Sequence, residues 1–352
     1  MVVRVEYDYV NARIKGMKSC LLNTSVFETL ILKPDVESII TEMGNTAYKD
    51  EIEKASVQYS GIRCIEVALR KDFTNAFRKI LGYTKGDTAE KYLKILLSRW
   101  DVQNIKTVLR GKNIHVTSAE ILECLVPAGE LDDMTLTEMI NQPDVKAVID
   151  LLATWGIEYS KPLTRHVKEY VEKRDLAVLE YAIDRFYYEN ALHAVQGDSY
   201  DDSLIKDMVS TEIDVTNIKT VLKMIRDKIE TEEAQMFLIE GGRSLGSEKL
   251  VAMIRTGTLE GAIKHLETTP YHFLSKLAGE GKVGMISVYE KELEKYLIKR
   301  GISRFFGDPL SIAIAIGYIW AKYNEITNIR IIARCKTADI PEKELRGELV
   351  YV

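Results

Sequence analysis

Proline is scarce in this 352-residue chain, seven residues in all, so long unstructured connections and polyproline linkers are not expected. Cysteine is scarcer. Cys20, Cys64, Cys124 and Cys335 stand far apart and form no CxxC pair, which argues against a zinc site or a disulfide scaffold. Buried or half-buried free thiols in a reducing cytoplasm are expected instead. No basic stripe is present either. The net charge is −5 with the two signs interleaved, which disfavours a nucleic-acid binder and adhesion to anionic lipid by charge alone. The longest apolar run, Leu310 to Ala321, includes Ser311 and Gly317. It is shorter than the roughly 20 residues a bilayer-spanning helix needs, and it reads as a buried helix. Charges begin at once with Arg4, Glu6 and Asp8, so no signal peptide is expected. The protein reads as soluble or peripheral.

The usual marks of catalysis are also missing. No GxxxxGK[ST] loop occurs, and no HExxH or GxSxG motif is found. The single GxGxxG, Gly279 to Gly284, follows a string that reads as a helix end, without the strand a dinucleotide site requires. A glycine-rich helix connection accounts for it better than a nucleotide-dependent enzyme does. Gly241-Gly242-Arg243 resembles a phosphate nest, but Gly129 stands at the matching place 113 residues earlier, so a repeated turn explains it. Of the five histidines, His265 and His272 flank Pro270 and are seven apart; exposure is the default reading for them, not metal ligation. Phe186-Tyr187-Tyr188 suits a core position on a helix. No catalytic residue, cofactor site or metal site is expected.

What the sequence does contain is a repeat. Asp101 to Arg110 (DVQNIKTVLR) recurs as Asp214 to Lys223 (DVTNIKTVLK) and, with changes, as Glu325 to Arg334 (EITNIRIIAR). The asparagines Asn104, Asn217 and Asn328 lie 113 and then 111 residues apart. A second, independent pattern runs through Phe27, Leu30, Ile31, Pro34, Asp35, Val36 and Ile40. It recurs from Leu136 through Pro143-Asp144-Val145 to Ile149, and from Leu250 through Gly257-Thr258-Leu259 to Ile263. Two unrelated patterns keeping their separation three times establish a triplication. Copies are expected at 1–112, 113–228 and 229–352, with charged joints at Gly111-Lys112-Asn113 and at Asp227 to Glu230. The apolar spacing Val102, Ile105, Val108, Leu109 is helical, no period-2 strand is convincing, and the fold class is all-α. Asp101 reads as lying near a helix start, where a carboxylate offsets the helix dipole. The recurring amide either bonds a neighbouring helix or is a plain polar surface position. Three helical blocks would also suit a repeat scaffold, although solenoid units are usually much shorter.

These strings, together with Tyr9 to Ser19, Gly317 to Lys322 and Ile340 to Arg346, resemble the C-type central-stalk family of archaeal A-type ATP synthases, which includes the d component of V-type ATPases. The resemblance covers essentially the whole chain. It implies three similar helical domains around a pseudo-threefold axis, funnel-shaped and without catalytic residues. It also implies a place on the cytoplasmic face of the cell membrane. There the family sits between the central shaft, made by the D and F subunits, and the proteolipid (c/K) ring, working as a peripheral rotor part. Glu325 for aspartate, Ile331 for threonine and Ala333 for leucine weaken the internal symmetry. Within the first copy the exposed-looking cations Arg13, Lys15 and Lys18 are candidate partner contacts, or equally a solvated helix face.

Overall fold

Apolar residues three and four apart, preceded by a short side chain that can accept a hydrogen bond, set most of the helices. The second repeated pattern is such a signal. Asp35 and Asp144 accept from Ser38 N–H and Ala147 N–H, each at 2.8 Å, and Thr258 accepts from Gly261 N–H at 3.2 Å. Each of the three thereby caps a helix that starts at the next residue. The computed structural model describes residues 7–278 and 285–351. Among these there are helices and no strand, so the chain is all-α.

The first period comprises α1 (Tyr7–Lys18), α2 (Thr24–Leu32), α3 (Val36–Met43), α4 (Lys49–Ser56), α5 (Gly61–Tyr83) and the long α6 (Thr88–Asn113). The second comprises α7 (Ser118–Cys124), α8 (Asp133–Ile140), α9 (Val145–Thr154), α10 (Ser160–Lys173), α11 (Ala177–Ala194) and the long α12 (Tyr200–Asp227). The third has α13 (Thr231–Gln235), α14 (Ser247–Arg255), α15 (Leu259–Lys264), α16 (Phe273–Ala278) and α17 (Ile286–Ile302). A 3-10 turn, Ser303–Phe306, then leads to the long α18 (Ala313–Thr337), and α19 (Glu342–Glu348) follows. The Gly279–Gly284 motif lies outside the described residues.

The long helices stop in one way. His115, Lys228 and Asp339 adopt left-handed φ of 57°, 55° and 52°. The next residue's N–H then turns back to the carbonyl five positions earlier, Val116 to Gly111, Ile229 to Met224 and Ile340 to Cys335, at 2.8, 3.0 and 2.9 Å. This back-bonding satisfies carbonyls the helix end leaves open. No glycine marks these stops, and the expected joint at Gly111-Lys112-Asn113 is still helix. Gly111 serves close packing instead, because a Cβ there would lie 2.5 Å from the Ile121 side chain.

Packing divides the described chain into two compact units. One runs to Leu176 and resumes at Gly301; the other is Ala177–Arg300. In the second unit α12 is the central element, with α11, α14 and α15 against it. Its Ile213, Ile218, Val221 and Leu222 are fully buried, and each such side chain contributes about 1.5–3 kcal/mol by leaving water. In the first unit α6 packs on α7, α8 and α9, while α18 packs on α1, α2, α3, α5 and α19. The apolar run becomes the first turns of α18, with Ala313 to Trp320 buried on every side. No described helix is long and apolar enough to cross a membrane.

A shift between sequence period and packing is the main result. Each long helix ends one period and packs on the elements that open another: α6 on α8 and α9, α12 on α14 and α15, α18 on α2 and α3. The cysteines depart from expectation in one respect. All four are free, but only Cys64 is buried and Cys335 half-buried; Cys20 and Cys124 are exposed, since each sits at the solvent side of a helix end.

Candidate functional site

The residues that define the repeat form three buried clamps. Asn104, Asn217 and Asn328 are each at most 2% exposed. Each amide grips one backbone position 22 residues on. Asn104 Nδ2 donates to Val126 O at 2.7 Å and its Oδ1 accepts from Val126 N–H at 2.8 Å. Asn217 does the same at Ile239 (2.7 and 2.9 Å), and Asn328 at Val350 (2.9 and 3.1 Å). The recurring amide therefore holds an irregular segment, where only a side chain can supply the missing partners.

One turn earlier on each long helix a carboxylate completes the clamp. Asp101 accepts from Glu130 N–H at 2.8 Å and Leu131 N–H at 2.9 Å. Asp214 accepts from Ser244 N–H (2.8 Å), Leu245 N–H (3.2 Å) and the Tyr271 hydroxyl (2.9 Å). Glu325 accepts from Leu22 N–H and from the Tyr48 hydroxyl, the latter at 2.6 Å. Asp101 is thus in the middle of α6, not near its start, and its task is to hold backbone donors; the helix-dipole expectation is overturned. The doublet expected as a repeated turn also has a packing reason. A Cβ on Gly129 would lie 2.3 Å from both oxygens of Asp101, and one on Gly242 2.3 Å from Asp214 Oδ1.

The tyrosines are the part that motif reading missed. Tyr48, Tyr159 and Tyr271 recur 111 and 112 residues apart, a spacing that would have revealed them. Tyr159 shares a hydrogen bond with Ser98, one turn before Asp101.

Burial raises the Asp101 carboxyl to about 7 against the opposing pull of Leu131 and Glu130 N–H. Burial also raises Asp214, opposed by Ser244 N–H, the Tyr271 hydroxyl, Leu245 N–H and Arg243. Since the folded Asp101 value exceeds the unperturbed 3.8, the folded state holds the extra proton. Stability from this group is therefore full below about pH 4 and falls as pH rises toward 7. Carboxyl-carbon NMR of Asp101 should show a midpoint near 7, and a midpoint below 5 would contradict the burial argument.

The outer signature residues are placed differently. Arg110 is exposed in the last turn of α6. Lys223 pairs with Glu290 at 2.8 Å, and Arg334 with Glu66 at 2.8 Å; they lie on helix surfaces, where such pairs contribute under about 1 kcal/mol. The candidate contacts Arg13, Lys15 and Lys18 lie along α1, Arg13 and Lys15 exposed. Arg13 reaches the Tyr83 hydroxyl at 3.3 Å, and Lys18 stands 3.9 Å over the Phe305 ring. Tyr187 and Tyr188 are buried as expected for core. His265 and His272 lie between α15 and α16, His272 being 3.2 Å from Thr269 O. No group of three or more His, Cys, Asp and Glu that could hold a metal occurs among the described residues.

Comparison with known proteins agrees with this all-helical, clamp-built body. Residues 10–348 match the family described as ATP synthase (C/AC39) subunit. The C subunit of the A-type ATP synthase of Archaeoglobus fulgidus is 30% identical over 353 residues, covering 99% of this chain and 97% of that one. Its counterpart in Methanococcoides burtonii is 30% identical over 347 residues, with 98% and 94% covered. That of Methanocaldococcus jannaschii is 27% identical, with 98% and 86% covered. With nearly its whole length matched in this way, the chain belongs to the ATP synthase (C/AC39) subunit family.

Proposed function

We propose that this chain is a non-catalytic central-stalk component of an A/V-type rotary ATP synthase, peripheral on the cytoplasmic face of the membrane. In this reading it joins the shaft of D and F subunits to the proteolipid ring and transmits torque between them. Residues 1–112, 113–228 and 229–352 are its three related domains. A many-fold ring and a two-part shaft share no symmetry and cannot meet face to face, so an adapter is required. It has to be stiff.

The observation that carries the reading is the thrice-repeated clamp. Each long helix is fixed to an opening segment of another period by buried amide and carboxylate bonds, which resist shear better than apolar contact alone. A body held in this way twists little under load. Its role is mechanical.

Cysteines placed in turn in each of the three ranges, within the assembled complex, test the proposal. Cross-links to both the shaft and the ring are the expected result, and cross-links to neither would refute it. Reversing Arg13, Lys15 and Lys18 together to glutamate should loosen retention on the rotor several-fold at low salt, with little effect at high salt. Unchanged retention removes α1 as a contact.

A further inference from the structure

Two of the three clamps close on continuous chain. Val126 leads directly to Glu130 and Leu131 and on into α8, α9 and α10; Ile239 leads in the same way to Ser244, Leu245 and α14 to α16. The clamp on α18 closes on two separate pieces. Asn328 holds Val350, just after α19, whereas Glu325 on the same helix holds Leu22 and Tyr48, some 300 positions away. No peptide link runs from Val350 to Leu22. Side chains bridge the gap instead: Arg346 meets Glu28 at 2.7 Å, and Asn11 Nδ2 donates to Pro309 O at 2.7 Å and Ser311 O at 2.9 Å.

This clamp also differs in its chemistry. Three positions before the carboxylate the other long helices carry Ser98 and Thr211. Here the residue is Lys322, 5% exposed, whose ammonium lies 2.6 Å from Asp72, 2.9 Å from Glu325 and 2.9 Å from the Tyr48 hydroxyl. Burial opposes the lysine's charge, but Glu325 and Asp72 outweigh it and hold its pKa above the ordinary value.

We propose that the composite module on α18 is a latch, fastened by the Lys322–Glu325–Asp72–Tyr48 cluster, and that α1 to α4 release from α18 as one unit before either continuous module opens. Two physical reasons support this order. A buried ion pair gains little over its desolvation cost, so this fastening is weaker than its short distances suggest. The segments in the other modules stay tethered directly on both sides of the clamp, and a tethered segment returns at high effective concentration. The Val350 and Leu22 sides of the composite module have no such tether between them. Its surface pairs, Arg346 with Glu28 and both Arg330 and Arg334 with Glu66, are moreover weakened by salt.

Hydrogen exchange of the full chain, read by mass spectrometry, tests the latch. Amides of α2 and α3 should exchange on the order of ten times faster than those of α8, α9, α14 and α15, and added salt should widen the gap. Equal rates in the three modules, or earlier opening of α14 and α15, would overturn the proposal. Lys322→Met leaves Asp72 and Glu325 buried without their cation, and it should speed α2 and α3 by about a hundredfold while α14 and α15 stay unchanged. A variant with unaltered α2 and α3 exchange would equally refute it. Should that variant fail to fold, the order of opening in the unmodified chain decides the matter.

Discussion

Replacing Asp214 by alanine should lower the stability of the Ala177–Arg300 unit by about 3–6 kcal/mol. The carboxylate is fully buried and takes three donors, Ser244 N–H, Leu245 N–H and the Tyr271 hydroxyl. Alanine leaves all three without a partner in a site closed to water, and each orphaned donor costs about 1–3 kcal/mol. Part of the loss is recovered because a carboxylate whose pKa is raised by burial no longer has to be buried. Asp214→Asn keeps the shape and one acceptor but points an amide N–H at a backbone N–H, so it should fall between wild type and alanine. Urea unfolding followed by exchange protection of α12 to α15 measures the difference. A loss under about 1 kcal/mol for Asp214→Ala, less than one orphaned donor costs, would mean the clamp does not hold the segment.

Gly129→Ala should cost about 3 kcal/mol although it adds one methyl group. The new carbon would stand 2.3 Å from both Asp101 oxygens. Asp101 cannot withdraw, because the N–H groups of Glu130 and Leu131 that hold it belong to the residues immediately following Gly129. Relief requires moving either the carboxylate or the segment, and both break buried hydrogen bonds. Gly82→Ala is the control: it lies in helix α5 with nothing within 4 Å of its added carbon. That change should raise stability by up to about 1 kcal/mol through helix propensity. Thermal unfolding of the two variants side by side gives opposite signs if packing against Asp101 is the cause.

The same clamps show how far the sequence could be read. The strings around Asn104, Asn217 and Asn328 were visible as a repeat because an identical task keeps an identical pattern. Their work was not, because an amide that bonds a segment 22 residues away leaves no local periodicity. Tyr48, Tyr159 and Tyr271 carry the same spacing but sit among dissimilar neighbours, so the repeat hides them. The glycines at 129 and 242 could be paired by number; the carboxylates facing them could not. The long-helix stops at His115, Lys228 and Asp339 were invisible for another reason. A left-handed residue is normally announced by glycine, and here the turn is imposed by what the following segment must reach.

The all-α class, the triplication and the family kinship were determined by the order of residues alone, since apolar spacing and recurring strings are properties of the chain itself. Tertiary structure alone decided which half of one period packs on which half of another. It also decided that Glu325 and Asn328 fasten segments some 300 positions apart and that a buried lysine accompanies the glutamate there. The physical reason is that helix formation depends on neighbours three and four residues away, whereas burial and the pairing of buried polar groups depend on whatever the fold brings near.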